Sequence, residues 1–351
     1  HDPNLSWNEL KIVVEATREQ ANIRYKSLSD AIENTQQRFD GLIDKYSKNH
    51  FESFVTLIDE CFSIKNTSKH GLVKWKFFSE IFDHKNMTIC AYDENKVVWQ
   101  YSNIAFEFKT KKDIIQWYLC QDMCISKSHR WQKLITKMSS FLYETISSQT
   151  FSIWFSNALW VKVDKNSNWY WYKVIDHLKS IYLPILFNKK TSYSYNKIDN
   201  YLELEKVDFS HFNNFDNFIS INKNLSYIKF RYFLKPNSDY NFYMISNNKI
   251  DIWYVVLRYK KWIVTIFDFN FISDISNNDI MNIFNNLTKK YNSYLLKIQL
   301  LYNDYWKWFF KWYLKFKSNE NIYLTIKNHN WYNKCNNLEK NNWIILTWDI
   351  L

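Results

Sequence analysis

The sequence predicts an α+β protein of two mixed-sheet units with flanking helices, preceded by a long amphipathic helix. Three observations predict it. Apolar residues recur with a period near 3.6 over residues 1–49. From residue 51 the pattern runs helix, strand hairpin, strand, helix, strand, which is the order of a layered sheet with helices on its faces. From about residue 226 a second strand-rich stretch with its own helix repeats that coarse plan without close sequence repetition.

The first segment carries Leu10, Val14, Thr17, Ala21, Tyr25, Leu28, Ile32, Thr35, Phe39, Leu42 and Tyr46 on one helical face. A coiled-coil repeat of 3.5 is poorly kept, because Arg24 and Arg38 fall in its seam. Residues 1–49 are therefore read as a helical extension packing on the body or on a partner, a second copy included.

In residues 50–187, Phe51–Phe62 has helical spacing, whereas Met87–Tyr92 and Val97–Phe108 read as paired strands. Ile114–Ile125 is another strand, Gln132–Ser147 a helix, Phe151–Phe155 a short strand and Lys173–Ser180 a looser helix. Residues 188–225 are rich in Asn, Ser, Tyr and Lys without clear periodicity and form a candidate linker. In residues 226–351, strands from Ser226 to Phe269 precede a helix near Asn278–Ser293 and further strands.

Composition narrows the function. With 351 residues and 46% apolar content the chain can bury a sizeable core. The net charge of +11 suits nucleic acid, an anionic surface or a phosphate-rich ligand, and equally a codon bias toward Lys and Asn. Clusters such as Tyr254–Lys261 and Tyr305–Lys317 interleave aromatics with Lys, but several of those aromatics are tryptophans suspect for the reason below, so nucleic acid is not the expected partner. Five cysteines without a CxxC pair suggest neither a disulfide framework nor a zinc site, and free thiols fit a reducing, cytoplasmic setting. No HExxH is present, and no metal is expected. No charged-then-apolar leader opens the chain, and no run reaches the ~18 apolar residues of a membrane span.

One number stands out. The chain has 2 Gly and 17 Trp, where average usage of about 7% predicts roughly 25 Gly. Turns with φ > 0 and close backbone approaches exclude a Cβ, so glycine is hard to do without.

His129-Arg130-Trp131-Gln132-Lys133-Leu134 follows a strand and opens a helix. Read with glycine at Trp131, it resembles the R-G-x-G-[IL] turn of GNAT acyltransferases. In such a turn, backbone N–H groups at a helix start face the CoA pyrophosphate. The same replacement at Trp154 gives F-S-I-G-F-S-N, similar to the family's G-F-P-N segment, and at Trp171 gives G-Y-K, similar to its G-[FW]-K turn. Trp99, Trp253, Trp262 and Trp348 also fall at glycine-like places, whereas Trp75 and Trp343 match true tryptophans. The expectation is that UGA codons have been written as Trp where the organism reads Gly, an alternative genetic code.

The resemblance covers about residues 51–351, most closely 70–180, and is similar to large bacterial GNAT proteins with a second, degenerate half. It implies transfer of an acetyl group from acetyl-CoA, as co-substrate, to a primary amine on a small molecule or sugar. It implies CoA contacts from Met123, Cys124 and Ile125 on the strand, from Arg130, Trp131, Gln132, Lys133, Leu134 and Ile135 in the turn, and from Asn157. Lys133 departs from the usual glycine. Cys124 is expected to be a buried strand thiol rather than a nucleophile. Asp122 is a candidate general base, with a strand-end hydrogen bond as the alternative. The family's acid tyrosine would fall at Ser167, so Tyr170 is the neighbouring candidate. Two other readings stay open: an aminoacyl-tRNA-dependent cell-wall peptide acyltransferase, and a non-catalytic binding protein on the same fold.

Overall fold

The computed structural model describes residues 11, 14–27, 30, 43–62, 69–79, 87–109, 114–130, 138–142, 151–157, 173–185, 192–209, 212, 219–271, 275–300, 303–311, 313 and 315–328. They fall into two compact units: His1–Ile64 with Thr88–Tyr101 and Met123–Leu142, and Lys65–Met87 with Ser102–Asp122 and Tyr143–Leu351.

The first unit holds helix α1 (14–27), strand β1 (Ile43–Lys45), helix α2 (Phe51–Phe62), strand β2 (Met87–Asp93), the start of β3 (Lys96–Lys109) and helix α4 (138–142). Phe54, Val55, Leu57 and Ile58 recur at helical spacing and are the buried stripe of α2. The predicted bounds of α2 hold. The helical pattern read through to Tyr46 does not, because Ile43–Lys45 is extended and pairs antiparallel with β2, Ile43 opposite Ala91. Edge pairing overrides a 3.6-residue apolar spacing there.

The second unit contains helix α3 (Lys69–Phe77), the end of β3, most of β4 (Ile114–Ile125), β5 (Phe151–Asn157) and β6 (Lys173–Pro184). β7 (Ser194–Ile198), β8 (Ser220–Ile221), α5 (Leu225–Ile228), β9 (Asn241–Asn247), β10 (Ile250–Lys260) and β11 (Ile263–Phe271) follow. Helix α6 (Asn277–Lys290), β12 (Leu295–Leu300), α7 (Asp304–Phe309) and β13 (Phe316–Asn328) complete it. Its strands run in the order β5-β13-β6-β12-β11-β10-β9-β7. The β11–β12 pair is parallel, whereas β13, β6, β10 and β9 pair antiparallel, so the sheet is mixed.

The helix expected at Lys173–Ser180 is strand β6. Ile175 and Leu178 mimic helical spacing, but β6 lies between β12 and β13, where Ile181, Leu183 and Ile185 alternate into the core. The stretch read as a linker carries β7 and a 3-10 helix, Tyr201–Lys206, started by a capping box between Asn200 and Glu203. Helix α6 lies one residue from its predicted start, with the Ser276 side chain accepting from the Asp279 N–H.

Among the described residues the two-residue hairpin turns form without glycine. Asn248 and Lys249 (φ 49° and 67°) close β9–β10, and Lys261 and Trp262 (φ 49° and 60°) close β10–β11. Two left-handed residues in a two-residue hairpin make a type I′ turn, which prefers Asn-Gly. Trp262, with 64% of its surface exposed, occupies the glycine place.

Candidate active site

Strand β4 is where the predicted chemistry concentrates. It pairs parallel with β5 at Tyr118↔Ser152 and Leu119↔Ile153, and among the described residues the pairing stops there. Both strands run on: β4 through Cys120 and Asp122, β5 to Asn157. The other edge of β5 stays paired with β13 as far as Asn157↔Ile322. Among the described residues no β4 partner is recorded for the Trp154–Asn157 backbone on that side.

Within the same stretch the β4 backbone turns left-handed at Asp122, φ 34°. A non-glycine residue with positive φ inside a strand is costly and marks a local break in the pleat. The Asp122 carboxylate accepts a hydrogen bond from the Lys76 ammonium of α3, both side chains being largely shielded, 14% exposed for Lys76 and 31% for Asp122.

Lys76 belongs to a wider cluster. Its neighbour Trp75 donates from Nε1 to the Phe230 carbonyl at 2.7 Å and stacks on the Phe230 ring. Lys229–Phe233 is a π-helical turn following α5, a form that often marks functional positions, and it holds Arg231 at 1% exposure. Lys235 lies over the rings of Trp75 (5.2 Å) and Tyr240 (5.6 Å). Burial, reinforced by Arg231, Lys76 and Arg258, lowers the Lys235 ammonium to about 7. Deeper in the core, Asp268 accepts from Lys223, from Tyr232 at 2.7 Å and from the Phe269 N–H at 2.8 Å. Burial, with the Asp268 charge adding to it, pushes the Tyr232 phenol up.

In the first unit β4 ends at Met123, Cys124 and Ile125. Cys124 is buried at 5% exposure. Cys61 of α2 donates from Sγ to the Ile125 carbonyl at 3.3 Å. Its thiol is lowered to about 7, chiefly by a hydrogen bond with Cys124, then by Ile125 and Arg130 against the effect of burial. The Ser126 N–H donates to Val98 at 2.9 Å and the Lys127 N–H to Glu60 at 2.8 Å. His129, in the 3-10 turn Lys127–His129, lies 3.3 Å from Asp93 and 2.8 Å from the Ser128 hydroxyl. Arg130 is exposed and reaches back to the Ile125 carbonyl at 3.5 Å.

Trp131, Gln132, Lys133, Leu134, Ile135 and Tyr170 lie outside the described residues, as does the Asn157 side chain. Sequence reasoning missed Lys76, Arg231, Lys235 and Cys61. Lys76, Lys235 and Cys61 meet partners distant in the chain, Asp122, Trp75 and Ile125, and no local motif signals them. Among the described residues no group of three or more His, Cys, Asp or Glu side chains is placed to hold a metal ion, and no helix is long and apolar enough to cross a membrane.

No protein-family model matches the chain, and no curated protein matches it by sequence. Solved structures match its fold. A GCN5-related N-acetyltransferase from Anabaena variabilis is similar at TM-score 0.61 and 10% identity, over 82% of this chain and 72% of that one. A conserved protein of unknown function and probable N-acyltransferase from Enterococcus faecalis is similar at TM-score 0.58 and 8% identity, over 81% and 72%. The Saccharomyces cerevisiae N-myristoyltransferase with bound myristoyl-CoA is similar at TM-score 0.51 and 9% identity, over 82% of each.

Proposed function

We propose that the chain, whose fold is the GNAT-like α+β fold of these structures, is an N-acyltransferase that moves an acetyl group from acetyl-CoA to a primary amine. The observation that carries this reading is the end of β4–β5 pairing at Leu119↔Ile153 while both strands continue. An extended amide-bearing arm, such as the pantetheine of CoA, fits such an edge as an added strand. Residues 50–187 serve as the acyl-CoA-binding domain and 226–351 as the degenerate second one. Met123, Cys124 and Ile125 line the arm, residues 130–135 take the pyrophosphate on main-chain N–H groups, and Asn157 bonds the arm.

In the reaction the amine nitrogen attacks the thioester carbonyl carbon. A C–N bond forms, the C–S bond breaks, and the CoA sulfur leaves as thiolate. Asp122 accepts the proton that the amine loses, and Lys76 holds that carboxylate in place. Tyr170 supplies a proton to the leaving thiolate. Backbone donors near the carbonyl oxygen stabilise the developing negative charge.

The pyrophosphate turn in this reading calls for glycine at position 131, and the reading of Trp as Gly draws on other positions. Trp262 has φ 60° in a turn that favours glycine. Trp99 and Trp253 are buried with Nε1 lacking a hydrogen-bond partner among the described residues. Trp75, where the resemblance expects a true tryptophan, has its Nε1 satisfied. The gene's codons test this: UGA at Trp131, Trp154 and Trp171 supports the reading, and UGG sinks it. Calorimetric titration with acetyl-CoA and, separately, with charged tRNA tests the transferase. Tight binding of the first alone is expected; binding of tRNA alone favours the cell-wall peptide reading, and binding of neither favours a non-catalytic protein.

A further inference from the structure

The second unit gathers four cations against an aromatic wall. Lys76 comes from α3, Arg231 from the π-helical turn, Lys235 from the segment after it and Arg258 from β10. The Lys235 ammonium sits over Trp75 and Tyr240 and is 3.4 Å from the Tyr240 hydroxyl. Arg258 lies 4.8 Å over the Phe267 ring and 3.3 Å from Asp239. The Tyr240 ring meets the Phe267 ring at 4.9 Å, and the Trp75 ring stacks on Phe230, the neighbour of Arg231. One run of rings thus joins Lys235 to Arg258 and to the turn that holds Arg231. Asp122 is the partner of Lys76, and Asp268 is held by Lys223 and Tyr232.

Half-buried like charges repel, and an apolar side chain at Lys235 would pack on Trp75 without that cost. Cations in excess over carboxylates, in a partly dry setting, form a complement to an oxyanion. We infer that Lys76, Arg231, Lys235 and Arg258 form a subsite for a compact oxyanion, a carboxylate or a phosphate, carried by the amine acceptor. The word acceptor rests on the transferase reading; the anion site itself does not. Lys76 touches Asp122, so the acceptor lies with its amine toward that carboxylate and its anionic end toward Lys235. Polyamines and other purely cationic amines are repelled.

Two pairs of probes test this, each differing only in the anionic group: lysine against cadaverine, and phosphoethanolamine against ethanolamine. Each is titrated calorimetrically into the full chain without acyl donor. The anionic member of at least one pair is expected to bind at least tenfold more tightly, and the pair that does so distinguishes carboxylate from phosphate. The Lys235 ammonium is favoured by a bound anion, so lysine affinity rises as pH falls through about 7. The preference collapses in Lys235→Met and in the more exposed Arg258→Gln, so the test does not depend on a folded Arg231 variant. Equal affinities within both pairs, no binding of any probe, or a preference that survives both substitutions overturns the subsite. Acetyl-CoA titrated into the same protein reads the donor side alone. An anion preference without donor binding sinks the transferase reading and leaves the subsite.

Discussion

The ammonium of Lys76 donates to the carboxylate of Asp122, tying helix α3 to the one position of β4 where the backbone turns left-handed. A charge-assisted bond at a strained strand residue fixes where that carboxylate points, which is what a proton acceptor needs.

Asp122→Asn keeps the shape and removes the base. Its kcat is expected to fall about 10²–10⁴-fold, with acetyl-CoA affinity unchanged by calorimetry. Lys76→Met should lose less, about tenfold, and shift the pH–rate profile, because it acts through Asp122. A pH profile left unmoved in Lys76→Met would contradict the positioning role.

Burial, with the neighbouring cations, lowers the Lys235 ammonium from the ordinary lysine value of 10.5 to about 7 in the folded chain. Between these two values the unfolded chain binds more protons, so stability rises with pH across that window. Lys235→Met removes the penalty, and is expected to stabilise by on the order of 1 kcal/mol at pH 6.5 after solvent screening. The gain shrinks toward pH 10. Thermal unfolding at pH 6.5, 8 and 10 reads it, and a gain independent of pH contradicts the burial argument.

The Cys61 thiol is lowered to about 7, chiefly by its hydrogen bond with Cys124, whereas burial pushes the Cys90 thiol far up. Alkylation by iodoacetamide should label Cys61 before the buried Cys90, with a rate rising through about pH 7 and levelling above 8. Mass spectrometry of the labelled peptides checks the order; equal labelling of Cys61 and Cys90 at pH 7 contradicts it.

Trp262→Gly relieves a left-handed tryptophan in a type I′ turn and is expected to stabilise by about 1 kcal/mol. Trp75→Gly deletes a buried, hydrogen-bonded ring and should cost about 3–5 kcal/mol. Denaturant midpoints of the two variants decide whether the two tryptophans differ in kind.

Much of the fold was legible because burial imposes a period. Phe54, Val55 and Ile58 mark α2, and Ser276 with Asp279 announces α6. β6 was misread because Asp176, His177 and Lys179 interrupt the apolar alternation of its first half, and its pairing with β12 and β13 depends on distant segments. Strand β4 was legible, but its separation from β5 after Leu119 was not, since pairing depends on two distant segments. Arg231 and Lys235 are neighbours in the chain, but Lys76 and Arg258 join them only in three dimensions, so no spacing in the chain foretells the cluster.

Hydrogen exchange of the native protein, with and without acetyl-CoA, reads the backbone edge of β4 and β5 directly. The account predicts that saturating acetyl-CoA protects amides in Cys120–Ile125 and Trp154–Asn157, with β7 and β9 unchanged. Binding of acetyl-CoA with no added protection on either strand would contradict it.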